Sequence, residues 1–186
     1  MRIVAGEFKN RTIHVPHDRS LETMSEMVRE ALFNILGDAV VDARFADLFA
    51  GSGSVGLEAL SRGASRVTFV EMRRQAADAI RKTLEVFQVD KDRARVWTSD
   101  VFQLGGNSSE WSDWDIAFLD PPRRVKDNFL DDLVDRGVIG SEKLIVAARP
   151  VENCAEMGSN YLRLLDRRIY GKACLFFFGR YYGESL

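Results

Sequence analysis

Hydrophobic and polar positions follow two different rhythms along this chain. Strand-like runs fall at 44–50, 66–70, 93–98, 115–119, 143–148, 161–168 and 173–180. Other segments carry apolar residues every three or four positions, the spacing of a helix face. Val28, Ala31, Leu32, Ile35 and Leu36 outline a first helix, and Gly37 ends it. Thr23 and Glu26 match a capping box, with Thr23 bonding the first turn and Glu26 reaching back. Further helices are predicted over 57–62, with Gly63 suited to its C′ position, and over 75–87 and 128–135. Segments 2–5 and 12–15, split by Gly6 and by Lys9 and Asn10, predict a small hairpin, and 105–109 reads as a loop. Strands alternating with helices predict an α/β fold with a mostly parallel sheet. No internal repeat interrupts the pattern. The expected organisation is therefore an N-terminal hairpin extension over 1–22 and a single globular unit over 23–186.

Composition narrows the class. The 186 residues, 46% of them hydrophobic, suffice for one domain with a substantial core. No secretory apolar region stands at the N-terminus and no apolar run has membrane-spanning length, so a cytoplasmic protein without a membrane partner is expected. Cys154 and Cys174 form no Cys-x-x-Cys pair. Neither a metal site nor a disulfide framework is expected from them, and Cys174 reads as a small buried hydrophobe. His14 and His17 flank Pro16 in a turn-like, solvated stretch. The formal net charge of −2 is not the footprint of a uniformly basic nucleic-acid binder. Its distribution is uneven, however: Arg2, Lys9, Arg11 and Arg19 lie early, and Arg123, Arg124 and Lys126 lie together later, as if to rim a site.

Candidate chemistry begins where the run 44–50 meets Gly51, Ser52, Gly53, Ser54, Val55 and Gly56. Glycines between a strand and a helix let the backbone approach a ligand closely. Twenty residues past Gly51, the run 66–70 ends in Glu71, an acid placed to accept hydrogen bonds from ribose hydroxyls. The glycines satisfy the dinucleotide fingerprint literally, but Asp47 lies four residues before the first of them. A carboxylate there matches a cationic amino-acid moiety better than a pyrophosphate. S-adenosylmethionine, with its ammonium and sulfonium and no phosphate, is the better fit. Asp47, Glu71, Asp100 and Asp120 each close one of four successive strand-like runs. An acid at every strand end is repulsive unless a ligand answers it. In this scheme Asp47, Phe49, Ala50, Gly51, Ser52 and Gly53 surround the methionine part. Glu71 and Met72 take the ribose side, and Asp100 with Val101 the adenine.

The run 115–119 closes on Asp120, Pro121 and Pro122. Proline fixes φ, removes a donor and keeps the residue before it out of the helical region. A stiff row of acceptors results, suited to gripping the N–H groups of a planar amine.

These motifs resemble those of amino-methylating enzymes. Together with residues 1–6, Phe8, Lys9, the segments 28–36 and 56–64, and the pair Tyr170 and Gly171, they are similar to the bacterial 16S ribosomal RNA guanine-N2 methyltransferase family, in family order over most of the chain. The resemblance implies a Rossmann-like class I S-adenosylmethionine-dependent methyltransferase fold with a seven-stranded sheet, one of its strands antiparallel. It implies 16S RNA or the assembled small ribosomal subunit as the partner, and a monomer is expected. It makes Asp120, Pro121, Pro122 and Arg123 the catalytic group, and Arg2, Lys9, Arg11, Arg19, Arg29, Arg124 and Lys126 candidates for the RNA side. Two positions depart from the family pattern. Arg123 stands where an aromatic ring, normally tyrosine, is usual, and Glu22 with Thr23 stand where an Arg-Pro pair is usual. Two other readings stay open at this point. One is methylation of another planar amine, such as adenine in DNA or RNA or a protein glutamine; the other is a catalytically silent RNA-binding or assembly factor.

Overall fold

A strand covered on both faces needs apolar residues at every position, not at alternate ones. That is how the central runs fold in the computed structural model, which describes residues 1–15, 24–105, 113–154 and 157–179. The strands are β1 (Arg44–Asp47), β2 (Arg66–Val70), β3 (Ala94–Trp97), β4 (Ile116–Leu119), β5 (Leu144–Pro150), β6 (Leu164–Tyr170) and β7 (Ala173–Phe178). They form one seven-stranded sheet in the order β3-β2-β1-β4-β5-β7-β6. The first five are parallel, and β7 lies antiparallel between β5 and β6. Helices α1 (Glu26–Leu36), α2 (Ser54–Ser61), α3 (Arg74–Val86) and α4 (Phe129–Asp135) complete the α/β architecture.

Alternate residues of each strand feed two cores. Phe45, Val67, Phe69, Phe118 and Val146 pack with Leu32, Leu57 and Ile80 of α1, α2 and α3. Ala46, Val70, Ala117, Leu119 and Ile145 pack with Phe129, Leu130 and Leu133 of α4. Helix α2 ends as its glycine foretells: Gly63 N–H donates to Leu60 O at 3.2 Å and Ala64 N–H to Ala59 O at 3.0 Å, a Schellman closure.

Several expectations need correction. Helix α1 is capped by Ser25, whose hydroxyl accepts from Val28 N–H at 3.3 Å, and starts at Glu26. Serine at that position satisfies a first-turn donor directly, so Glu26 is helical and not the reciprocal half of a box; Thr23 lies outside the described residues, as do Pro16, His17, Arg19, Glu22, Arg180 and the loop residues 106–109. The buried face of α1 is Val28, Arg29, Leu32, Phe33 and Leu36, rotated from the stripe through Ala31 and Ile35. The N-terminal segment turns back as expected, but with a single antiparallel bridge between Arg2 and Thr12. Its Ile3, Phe8 and Ile13 enter the same core as the sheet. Cys154 and Cys174 are joined in a disulfide, because the antiparallel pairing of β7 with β5 brings Cys174 beside the turn that follows β5. Among the described residues no helix is long and apolar enough to cross a membrane.

Candidate active site

The chain leaves β1, builds β2 and β3 on one side, then returns to lay β4 on the other. A crevice opens beyond the carboxyl ends of the strands where the order reverses in this way. Asp47 is the last residue of β1, and its Oδ2 accepts from Gly56 N–H at 2.9 Å, which ties the strand end to the first turns of α2. Gly53, with φ of 73°, makes the turn; a Cβ there would lie 2.8 Å from Ile80 Cγ1. A Cβ on Gly56 would lie 2.3 Å from Phe69 Cε1, so only glycine lets α2 rest directly on β2. The Glu71 carboxylate crosses to this loop: Oε2 accepts from Gly51 N–H at 2.8 Å, and Oε1 from Arg73 N–H at 2.8 Å.

Burial pushes the Asp47 carboxyl up to about 7; the Gly56 hydrogen bond opposes this, and the charges of Asp120 and Glu71 push the same way. Three acids from the ends of β1, β2 and β4 thus share one field; the Arg73 guanidinium, 3.1 Å from Glu71 Oε1, answers part of it, and a cationic ligand suits the rest. This donor set suits the ammonium and sulfonium of S-adenosylmethionine and disfavours a pyrophosphate. Asp100 stands apart from the three. Its Oδ1 accepts from Phe102 N–H at 3.0 Å and caps a short 3-10 turn over Val101–Gln103. Beside the crevice, the Phe49 ring lies 6.0 Å from that of Phe102 and 6.3 Å, edge-on, from that of Phe129. Ala50 and Ser52 are buried within the loop, whereas Met72 is exposed and meets the Arg124 guanidinium 3.9 Å from its sulfur.

After β4, Pro121 is buried while Pro122 and Arg123 are exposed. Val125 N–H donates to Pro122 O at 2.9 Å and closes a turn directly after the prolines. The exposed Arg123 guanidinium is held by Glu152 at 2.7 Å, from the turn after β5. Sequence reasoning missed Glu152 altogether. It also missed Arg149, buried at the end of β5, which donates to Val125 O at 2.7 Å and pairs with Asp127. The one available signal was a charge just past an apolar strand.

The basic residues divide. Arg2, Lys9, Arg124 and Lys126 are exposed. Arg11 turns inward: its guanidinium lies 4.2 Å from the Phe87 ring centroid and donates to the carbonyls of Val86 and Phe87 at the end of α3. Arg29 does not belong on an RNA-facing surface, because its side chain is fully buried against an equally buried Glu58, Nε to Oε2 3.3 Å. Glu58 also accepts from Arg62 Nε at 2.9 Å and from the N–H groups of Val4 and Ala5 at 2.9 and 3.0 Å, pinning the N-terminal segment to α2.

Known proteins fit this geometry. The chain is 36% identical over 155 residues to ribosomal RNA small subunit methyltransferase D of Escherichia coli, spanning 82% of this chain and 76% of that one. The Haemophilus influenzae protein of the same name is 34% identical over 122 residues, 66% of this chain and 63% of that one. Among solved structures, a putative methyltransferase yhhF from Escherichia coli superposes with a TM-score of 0.79 at 32% identity, covering 96% of each chain. An RNA methyltransferase from Salinibacter ruber in complex with S-adenosylhomocysteine shares the fold, with a TM-score of 0.64 at 13% identity over 84% of this chain and 92% of that one. The model for conserved hypothetical protein 95 matches residues 1–179, and the chain belongs to that family, together with the small-subunit ribosomal RNA methyltransferases D.

Proposed function

We infer that this chain is an S-adenosylmethionine-dependent methyltransferase that modifies the exocyclic N2 amine of a guanine in small-subunit (16S) ribosomal RNA. The observation that carries the reading is the site at the switch point: Asp120, Pro121 and Pro122 follow β4 beside a buried Asp47, in a chain 36% identical to a small-subunit ribosomal RNA methyltransferase. The cofactor supplies an electrophilic methyl group on a sulfonium. Asp47 holds the cationic amino-acid end, Glu71 the ribose, and Asp100 with Val101 the adenine edge. Guanine N2 is a poor nucleophile because its lone pair is delocalised into the ring. Acceptance of its N–H bonds by the Asp120 carboxylate and the Pro121 carbonyl raises electron density on nitrogen and aims its lone pair. Each 1.36 kcal/mol gained by such preorganisation is worth about tenfold in rate.

The base must leave its stack to reach this pocket, at a cost of about a few kcal/mol. Arg2, Lys9, Arg124 and Lys126 form the exposed basic rim that meets RNA phosphates. An assembled small subunit is the preferred substrate, since a protein of net charge −2 gains little from phosphate attraction alone. We further propose that the protein acts in the cytoplasm, where small subunits are assembled, and as a monomer. One observation favours a second reading, another planar amine: Arg123 occupies the position next to the acceptors and is held by Glu152, not free to stack as a ring would.

The test is transfer of labelled methyl from S-adenosylmethionine to small subunits purified from a strain deleted for this gene, in parallel with protein-free 16S RNA. Label in the particles and little in naked RNA is expected. Absence of label in both, with cofactor binding intact by calorimetry, overturns the reading.

A further inference from the structure

We propose that Arg149 is a positioning residue for methyl transfer, a strut that sets the Asp120-Pro121-Pro122 acceptors through the loop behind them. The proposal rests on the reading of the site given above.

Arg149 lies near the end of β5, the parallel neighbour of β4, where Leu119 pairs with Ala147. Its side chain is 2% exposed, beneath the loop that carries the acceptors. One amino group serves that loop twice, donating to Val125 O at 2.7 Å and to the Asp127 carboxylate. The same Val125 donates its N–H to Pro122 O at 2.9 Å. Two hydrogen bonds therefore lead from the guanidinium to the Pro122 carbonyl, next to the acceptors assigned to the amine. On its other flank the guanidinium carbon lies 5.5 Å from the centroid of the Phe129 ring, whose edge meets Phe49 of the glycine loop.

A buried cation parted from its counterion is left as an uncompensated charge in a low dielectric, so burial holds the loop to Arg149. The N–H groups of Nε and Nη1 have no hydrogen-bond partner among the described residues. Its side-chain hydrogen bonds among the described residues thus all go to the loop, as a strut requires. Without it, the prolines still stiffen the segment locally, but the buried tie between the loop and β5 is lost. Misplacement of reacting atoms by about 1 Å is enough to cost about a hundredfold in rate.

The experiment compares wild type, Asp127→Asn, which removes the counterion at a partly exposed position, and Arg149→Lys. Turnover and KM on small subunits, cofactor affinity by calorimetry, and amide exchange of Val125 are measured on each folded protein. The strut predicts a fall in kcat of about tenfold or more, KM and cofactor affinity within about twofold, and faster Val125 exchange. The Arg149→Lys variant should be the milder of the two if its ammonium retains the pair with Asp127. Unchanged turnover overturns the proposal, and so does unchanged Val125 exchange. Parallel loss of turnover and cofactor affinity also overturns it, because that marks a general structural role. If wild type itself transfers no methyl, the functional reading fails, and the exchange comparison alone decides whether Arg149 fixes the loop.

Discussion

The two halves of the crevice are held by different means. Around β1 and β2, position comes from the backbone: a glycine turn, a strand-end carboxylate bonded to Gly56 nine residues on, and a helix buried along its whole length. Around β4 and β5, position comes from charged side chains that cross between loops, Arg149 to Asp127 over 22 residues and Arg123 to Glu152 over 29. The half proposed for the small cofactor is held by strand-end carboxylates that bond backbone N–H groups. The half proposed to admit the base hangs on a few long side chains, some buried and some exposed. Geometry held by local backbone tolerates change on the surface, whereas geometry held by ion pairs is open to tuning by single substitutions.

The contrast breaks most sharply at Asp120. Asp120→Ala should lower turnover by about a hundredfold or more, the cost of removing a preorganised electrostatic group, with cofactor affinity within about twofold of wild type. Single-turnover kinetics and calorimetry check the two halves separately; a variant retaining about a tenth of wild-type turnover contradicts the role.

Asp47→Asn is the mirror case. Losing a charge-assisted contact should weaken cofactor binding about tenfold to a hundredfold, from about 1.5–3 kcal/mol per such hydrogen bond. The pH dependence sharpens the point. The Asp47 carboxyl rises from 3.8 to about 7 on folding, so the protonated form is favoured in the folded chain. Its contribution to stability is complete below the unfolded value and is lost as pH rises to the folded one. A cationic ligand selects the ionised form instead. Cofactor affinity of wild type should therefore increase with pH up to about 7 and then level off, while Asp47→Asn stays flat. Calorimetry across that range decides, and a pH-independent wild type contradicts the assignment.

Gly56→Ala tests the backbone half without touching charge. Its added methyl meets the Phe69 ring at 2.3 Å, and overpacking of this kind costs about 1–3 kcal/mol, to be seen as a lower midpoint in thermal unfolding. An unchanged midpoint means that α2 slides off β2 easily. The smallest effect is expected at Arg123. Arg123→Tyr should raise turnover about threefold or more by giving the unstacked base a ring, since the lost pair with Glu152 is exposed. Equal or lower turnover means that Arg123 is adapted to this pocket.

The same division explains what residue order reveals. The strand, glycine loop, helix and acid around β1 and β2 are contiguous, so their chemistry is written in one short stretch, and the switch-point crevice follows from them. The Gly37 and Gly63 helix ends are equally local. Arg29 reads as surface in the sequence because a charge on an amphipathic helix normally is; its partner Glu58 lies 29 residues away on another helix, where no local pattern betrays it. Arg149 and the Cys154–Cys174 pairing escape for a related reason. Both depend on which strands become neighbours: β5 beside β4 for Arg149, and the antiparallel β7 beside β5 for the disulfide. At the start of α1 the residue order offers more than one capping hydroxyl, and the extended backbone at Ser25 makes that residue the cap.

The central claim is that Asp120 and Pro121 present their acceptors to guanine N2. Its most direct test is to digest the RNA of small subunits treated with the wild-type protein and labelled S-adenosylmethionine, and to identify the labelled nucleoside. N2-methylguanosine at a single site, lost with Asp120→Ala, is the predicted result. Label in methyladenosine or in protein glutamine would contradict the claim and turn the acceptors toward another planar amine.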